Sequence, residues 1–426
     1  MTEANTVSLQ VHSISGAFHE PEWLTQLREE AWQTFDSMPE PRLEKTDLRK
    51  RGWDAGNFVT APSKQLPADA ASYIAGLDHS HAVFVDGHLA DIKLNEADRD
   101  LGVVFTDIHT AASKHEDLVK GTLGTVVPAR ESKWAALNFA YFAGGVFLYV
   151  PRKVTLEKPF EVVHVVTSEA QASFPRSLVV ADELADVRFV EVSFIGADRQ
   201  KFTNSHVLEV VAKSGSHVHV GTADAFHKGP TYFVTRRAHV EKDATVEWTV
   251  SDVSNGFAVE VVESVLNGTG ARSQTRVLGL GYGREHLDLT ASMLHVGRNT
   301  ESDIVMHSAL REKANSIFRS KTQIVKGAVG AGSEQHDRMI MVDGTARADA
   351  IPMLLIDEND VQRCGHAASV GKIDPNQIYY LMSRGIPQTQ AMKMIIWGYL
   401  NDSVETLPSD QIRELVVGRI ERELER

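Results

Sequence analysis

Cys364, Gly365 and His366 stand in a row late in the chain, and their side-chain types are those of a soft-metal site. In an extended strand, residues two apart point to the same side, so the thiol and the imidazole would face one ion. Both suit iron or zinc once the thiol is deprotonated, and the glycine between them leaves room for a close approach. Asp357, Glu358 and Asp360 lie just upstream and would add negative potential. The same residues also suit plain packing, with a free cysteine acting as a small hydrophobe beside a structural histidine.

His217-Val218-His219 alternates like the metal-binding strand of a cupin. That pattern calls for a glutamate a few residues on, where this chain has Ala223 and Asp224, so Asp224 is a poor substitute. The simpler reading is two solvent-facing strand histidines. The pair nevertheless defines an alternative function, a stand-alone metal-dependent enzyme with a β-helix or cupin-like core.

Other chemistry finds less support. GLGYG (279–283) and GAVGAG (327–332) lack the strand-to-helix context of a dinucleotide fold, and neither precedes the Lys-Ser/Thr pair of a P-loop. They read as turns, and no nucleotide is expected to bind this chain. No G-x-S-x-G elbow occurs, and Cys364 has no separate base at a known spacing. The chain is expected not to be an enzyme.

The elements that would position these residues fall into three regions. The first is helical: Pro21 suits a first turn, and Trp23, Leu24, Leu27, Ala31, Trp32 and Phe35 recur at three- and four-residue steps. A second amphipathic segment runs from Asp107 to Leu123. Between them, His81 to Leu94 alternates like a hairpin turning at Asp86-Gly87. From about Leu137 to Ile356, short alternating runs such as FEVVHVV (160–166), VRFVEVSF (187–194) and TVEWTV (245–250) follow one another, as in a large sandwich, barrel or solenoid. A β-helix would have coils of about 20 residues and a rod of about 50 Å.

After Cys364 helical signals return. Asp374-Pro375 is an N-cap and first-turn proline, and Gly385 closes the helix. Ala391, Met392, Ile395, Ile396, Tyr399 and Leu400 share one face of a second helix. A third, from Ser409, turns Ile412, Leu415, Val416, Ile420 and Leu424 inward and Arg413, Glu414, Arg419 and Arg422 outward.

The bulk numbers narrow the function. A net charge of -13 argues against nucleic acid or an anionic membrane as partner. The stretch from Trp134 to Val150 is the most apolar, but Asn138 and Gly144-Gly145 interrupt it, and a pair of buried strands is expected there. The N-terminus has no charged and apolar leader pattern, so a cytoplasmic location is expected. Cys364 is the one cysteine. A single thiol cannot hold an iron-sulfur cluster, so any cluster must borrow ligands from another chain.

Five segments in order resemble the SufB/SufD family of iron-sulfur cluster assembly proteins. They are PEWLTQLREEAWQTFDSMPEP (21–41), LNFAYFAGGVFLYVPRKVTLEKPFEV (137–162), HSALREKANSIFRSKTQIVKGA (307–328), DENDVQRCGHAASVGKID (357–374) and YYLMSRGI (379–386). The last two are the most specific. Where SufB-type chains carry an upstream cysteine, this one has DGTARADAIP (343–352), and the better match is to SufD-type members. Gly365 replaces a usual small hydroxyl residue, and Ala367 a usual glycine.

The resemblance implies a right-handed parallel β-helix (133–366) between an N-terminal helical or mixed domain (1–132) and a C-terminal helical domain (367–426). It implies a scaffold in a SufBCD complex, pairing with SufB through the β-helix. His366, with Cys364 beside it, would be an interface ligand for a transient iron or iron-sulfur cluster shared with SufB. The ATPase SufC would dock on the C-terminal helices through Tyr380, Arg384, Gly385, Ile386, Met392 and Ile396. A homodimer in the absence of SufB is a further possible assembly. Met382, Met392 and Met394 suit either that adaptable partner surface or packing within their own domain.

Overall fold

The structure, a computed structural model, describes residues 11–48, 65–167, 172–195, 203–226 and 231–425. Its centre is a β-solenoid of about 7 turns over residues 147–372, built as two facing sheets. The first sheet runs through Phe160–Val166, Asp186–Ile195, His217–Phe226, Thr245–Asp252, Arg272–Gly281, Glu301–Leu310, Gly332–Met341 and Arg363–Lys372, all parallel. The second runs from Val146–Val150 through Arg176–Ala181, Thr203–Ala212, Thr231–Val240, Phe257–Leu266, His286–His295 and Asn315–Ile324, ending on Arg347–Ala350 and Met353–Ile356.

Register-matched positions His217, Thr245, Arg272, Glu301, Gly332 and Arg363 stack one above another. Each coil is therefore about 30 residues long, within the range for stacked repeats and longer than the 20 expected. The difference is physical: each coil carries two strands, most of them 10 residues long, and only their apolar middles show in the sequence. At about 4.8 Å per coil the rod is nearer 35 Å than 50 Å. GLGYG also differs from expectation. Gly279 and Gly281 lie inside the strand Arg272–Gly281, and a Cβ on Gly281 would come within 2.7 Å of Leu310.

Inward side chains of both sheets form one core, including Val162, Phe189, Leu208, Val220, Val234, Trp248, Val262, Leu289, Met306 and Phe318. Outward faces are covered in part by helices. Glu22–Ser37, Ile108–Lys114 and Lys133–Tyr141 pack on the second sheet around Phe147, Leu178 and Val180. Gln388–Val404 and Asp410–Glu425 pack on the first around Val163, Val190, Val192, Leu278 and Ala309. Strands buried on both faces read as near-continuous apolar runs, as in FEVVHVV, where Glu161 and His164 are the exceptions. Gly221 permits a close approach of the C-terminal segment: a Cβ there would meet Pro408 at 2.3 Å.

Three local expectations need correction. The apolar stretch from Trp134 is a helix followed by the strand Val146–Val150, rather than two strands. The helix is apolar all round because it is buried all round, so periodicity is lost; Ser132 caps it by accepting from Ala135 N at 3.0 Å. Arg419 is buried, donating to Asp69 at 2.7 Å, instead of facing out. Pro21 is the N-cap, one position before the helix. The hairpin is as read, with Asp86 and Gly87 at φ 50° and 83°.

Candidate metal centres and partner surface

Among the described residues, the strand Arg363–Lys372 ends the first sheet and pairs only with Gly332–Met341. Its Cys364, His366, Ala368 and Val370 are in register with Ser333, Gln335, Asp337 and Met339. Those four neighbours are almost fully buried, yet His366, Ala368 and Val370 are exposed and Cys364 is half-buried. The reason is position: the same inward direction is filled by a further coil everywhere else and is uncovered here. Ile356 and Val370, each 41% exposed, belong to the same uncovered layer.

Cys364 and His366 thus share one side of a free strand edge. The Cys364 thiol is pushed up by burial against Ile324, Ala328 and Ala331 and by the negative charge of Glu334. It is a protonated thiol at neutral pH, and would ligate only as a metal displaces its proton. A Cβ on Gly365 would come within 2.6 Å of Glu334 Oε2, so glycine lets that carboxylate lie across the strand. Asp337 beneath is raised by burial, against the hydrogen bond from Ser320 and the charge of His366. Of the upstream acids, Glu358 is a loop clamp that accepts the N–H groups of Gly327, Asn359 and Asp360 at 2.9, 2.8 and 3.1 Å.

At the opposite end, the solenoid interior holds a second set of donors. His164, Glu191 and His206 project inward from three strands, and their ligand atoms lie within 4.8 Å of one another. His164 Nε2 is 3.0 Å from Glu191 Oε1, and His206 Nε2 is 2.9 Å from Glu191 Oε2. Ser177 Oγ donates to Glu191 Oε1 at 2.8 Å, and the Phe84 ring stacks on His164. Burial favours a neutral Glu191, but the nearby imidazoles of His206 and of His164, the latter hydrogen-bonded to it, outweigh burial and hold the carboxyl well below its usual range. Burial lowers His164 despite its bond to Glu191. These three residues could hold a metal ion.

Further along the interior, Arg236 donates to Asp224 Oδ2 at 2.5 Å and to Glu260 Oε2 at 2.8 Å. Burial disfavours the charged form of Arg236, and the carboxylate of Asp224 above all outweighs it and holds the guanidinium's pKa above its ordinary value. Glu260 is pushed far up by burial, with Arg236 opposing.

His217 and His219 lie on the outer side of the first sheet, flanking Glu247 at 3.6 and 3.8 Å. Asp224 has the opposite parity and faces Arg236 inside, so it does not join them. Among the described residues, the three inward donors are the group that brings ligand atoms so close.

The helix Pro375–Ser383 follows, capped by Asp374, which accepts from Asn376 N at 2.9 Å. None of its residues is buried, and Tyr379 and Tyr380 are 74% and 58% exposed. Arg384 lies over the Tyr380 ring, and Gly385 takes φ 83°. Ile386 and Met392 are half-buried, and Met382 and Met394 are exposed. Ile396 packs into its own core at 1% exposure, so it supports the helix rather than offering a surface.

Comparison with known proteins decides the family. Residues 164–399 match the SufBD core domain of the SUF system for FeS cluster assembly, and residues 17–162 match the SufBD N-terminal region. The chain belongs to the SufB/SufD family. It is similar to the iron-sulfur cluster assembly protein SufD of Bacillus subtilis, 35% identical over 97% of this chain and 96% of that protein. An iron-sulfur cluster assembly SufBD family protein of Staphylococcus aureus is 29% identical over 95% of this chain and 90% of its own length. SufB of Bacillus subtilis is 28% identical over the same shares. As a SufB/SufD member, the chain is an iron-sulfur cluster assembly protein of the SUF system with a β-helix core. Among its described residues, no helix is long and apolar enough to cross a membrane.

Sequence reading missed the inward donors of this family member. His164, Glu191 and His206 are scattered over three strands, with no spacing motif. The available signal was a titratable residue at an inward position of an apolar run, as in VVHVV and FVEVSF.

Proposed function

We propose that this chain is the SufD-type scaffold of a SufBCD complex, a non-catalytic subunit that lends one face to cluster assembly. The observation that carries the reading is the uncovered last coil, where His366 and Cys364 lie together on a free strand edge. An edge strand is completed by another strand, and a SufB-type chain is the partner this family offers. His366 then supplies an imidazole, and Cys364 a thiolate, to iron or a nascent cluster whose other ligands come from SufB. The metal is cargo, held while it is built. The higher identity to SufD than to SufB supports the assignment of side.

The exposed helix after the edge strand, with the turn and the start of the helix that follow it, is the proposed docking site of the ATPase SufC, through Tyr380, Arg384, Gly385, Ile386 and Met392. Its unburied aromatic and methionine side chains are suited to a partner. Affinity capture of the full chain from its native extract tests both contacts. SufB and SufC in stoichiometric amounts are expected. Recovery of the chain as a homodimer lacking both would overturn the proposal, and deletion of 374–407 with undiminished SufC would overturn the docking site.

A further inference from the structure

We propose that His164, Glu191 and His206 form a resident binding site for one divalent first-row transition ion, separate from the cargo site at Cys364 and His366. Three observations lead there. The set is two imidazoles and one carboxylate, the donors of mononuclear zinc sites and of the facial triad of non-haem ferrous sites. All three side chains are buried, with exposures of 5%, 2% and 1%.

The third observation is the arrangement of the polar atoms. Glu191 Oε2 and His206 Nε2 are 2.9 Å apart, yet neither makes an aligned hydrogen bond, and His206 Nδ1 has no partner either. Unsatisfied polar atoms in an apolar core are costly, so a simple packing triad should have closed its bonds. Donors around one ion at about 2.0–2.1 Å stand roughly 3.3 Å from each other, aimed at a common centre rather than along each other's bonds. The 2.9 Å contact of His206 with Glu191 Oε2 is close to that spacing, His164 is held at 3.0 Å on Oε1 by a hydrogen bond, and all the donor atoms lie within 4.8 Å of one another. Ser177 donates to Glu191 Oε1 and serves as the outer partner that fixes a ligating carboxylate.

The donors are contributed by Phe160–Val166, Asp186–Ile195 and Thr203–Ala212. An ion there ties the first sheet to the second at the start of the rod, where fewer coils support it. The site therefore contributes to fold stability, and the sealed core keeps the ion from exchanging during cluster transfer.

The test uses the full chain, produced in zinc-supplemented medium and separately in iron-supplemented medium under anaerobic conditions, with metal counted after gel filtration. About one equivalent is expected in the wild type and in a Cys364→Ser, His366→Ala double variant, which removes the cargo site. Glu191→Gln and His206→Gln should each lower the content at least tenfold. Ser177→Ala keeps all three donors and should weaken retention against a chelator by roughly 10–100-fold. X-ray absorption of the wild type should show nitrogen and oxygen neighbours with two imidazoles and no sulfur. A wild type with less than a tenth of an equivalent in both media overturns the proposal, as does full metal content in folded Glu191→Gln or a sulfur neighbour. Metal lost only in the Cys364, His366 double variant would also overturn it, while leaving the cargo reading intact.

Discussion

The two ends of the solenoid carry similar donors in opposite surroundings. At the start, His164, Glu191 and His206 point inward and are sealed by coils and by Phe84. At the finish, Cys364 and His366 point in the same inward direction, but among the described residues no coil follows to cover them. The geometry of a strand is the same in both places. What would separate a resident site from an exchange site is the next layer: burial would hold an ion in place, and its absence would leave the shell for a partner to complete.

The strongest way to break this comparison is at the open end. His366→Ala should reduce iron-sulfur enzyme maturation in cells by about tenfold or more while SufB and SufC still co-purify. Normal maturation would mean that the open end holds no cargo. At the sealed end, Phe189→Ala should cost about 3–5 kcal/mol in denaturant unfolding of the isolated chain, because Phe189 is fully buried between the sheets.

Acid stability sharpens the comparison further. Burial pushes His295 down to about 4, although its ring nitrogens contact Thr300 and Ser302 at 2.8 Å. The unfolded chain takes up a proton near pH 6.5 and the folded chain only near 4, so folding stability is lost as pH falls through that window. The loss reaches about 3 kcal/mol at pH 4. His295→Gln should remove that component, seen as the difference between the two variants' stability curves from pH 7 to pH 4. Coincident acid limbs, after allowing for a constant offset, would contradict it. The smallest effect is expected at the uncovered layer. Val370→Ala should change the stability of the isolated chain by less than about 0.5 kcal/mol. Val370→Asp should instead weaken capture of SufB, which a pull-down titration reads directly.

Much of the frame was legible because each region follows its own period. Leu24 and Ala31 mark a helix face, and Val187, Phe189 and Val218, Val220 mark inward strand positions. Cys364 and His366 were legible for a different reason: they are neighbours in sequence, so a strand alone puts them together. The inward donors were not, since His164 and His206 meet only after the chain crosses from one sheet to the other. Coil length was also hidden. Strand residues such as Thr222 and Asp224, past the apolar first half of His217–Phe226, are buried but polar, and they look like turns until the stacked coils bury them. The role of Arg28 was hidden too: it sits in the first helix, fully buried, holding Glu20 at 2.7 Å and the carbonyls of Ala140 and Phe142 at 3.1 and 2.8 Å. There it also satisfies the C-terminal end of the helix Lys133–Tyr141.

Only Ile373 and Asp374 lie between the edge strand ending at Lys372 and the helix beginning at Pro375. Two residues and their flanking bonds reach about 10 Å at full extension, which leaves the joint very little slack. A partner that carries the exposed helix any farther must unzip the edge strand from Lys372 backwards, one backbone bond after another. The distance a partner pulls is thereby converted into the number of ladder bonds left below His366.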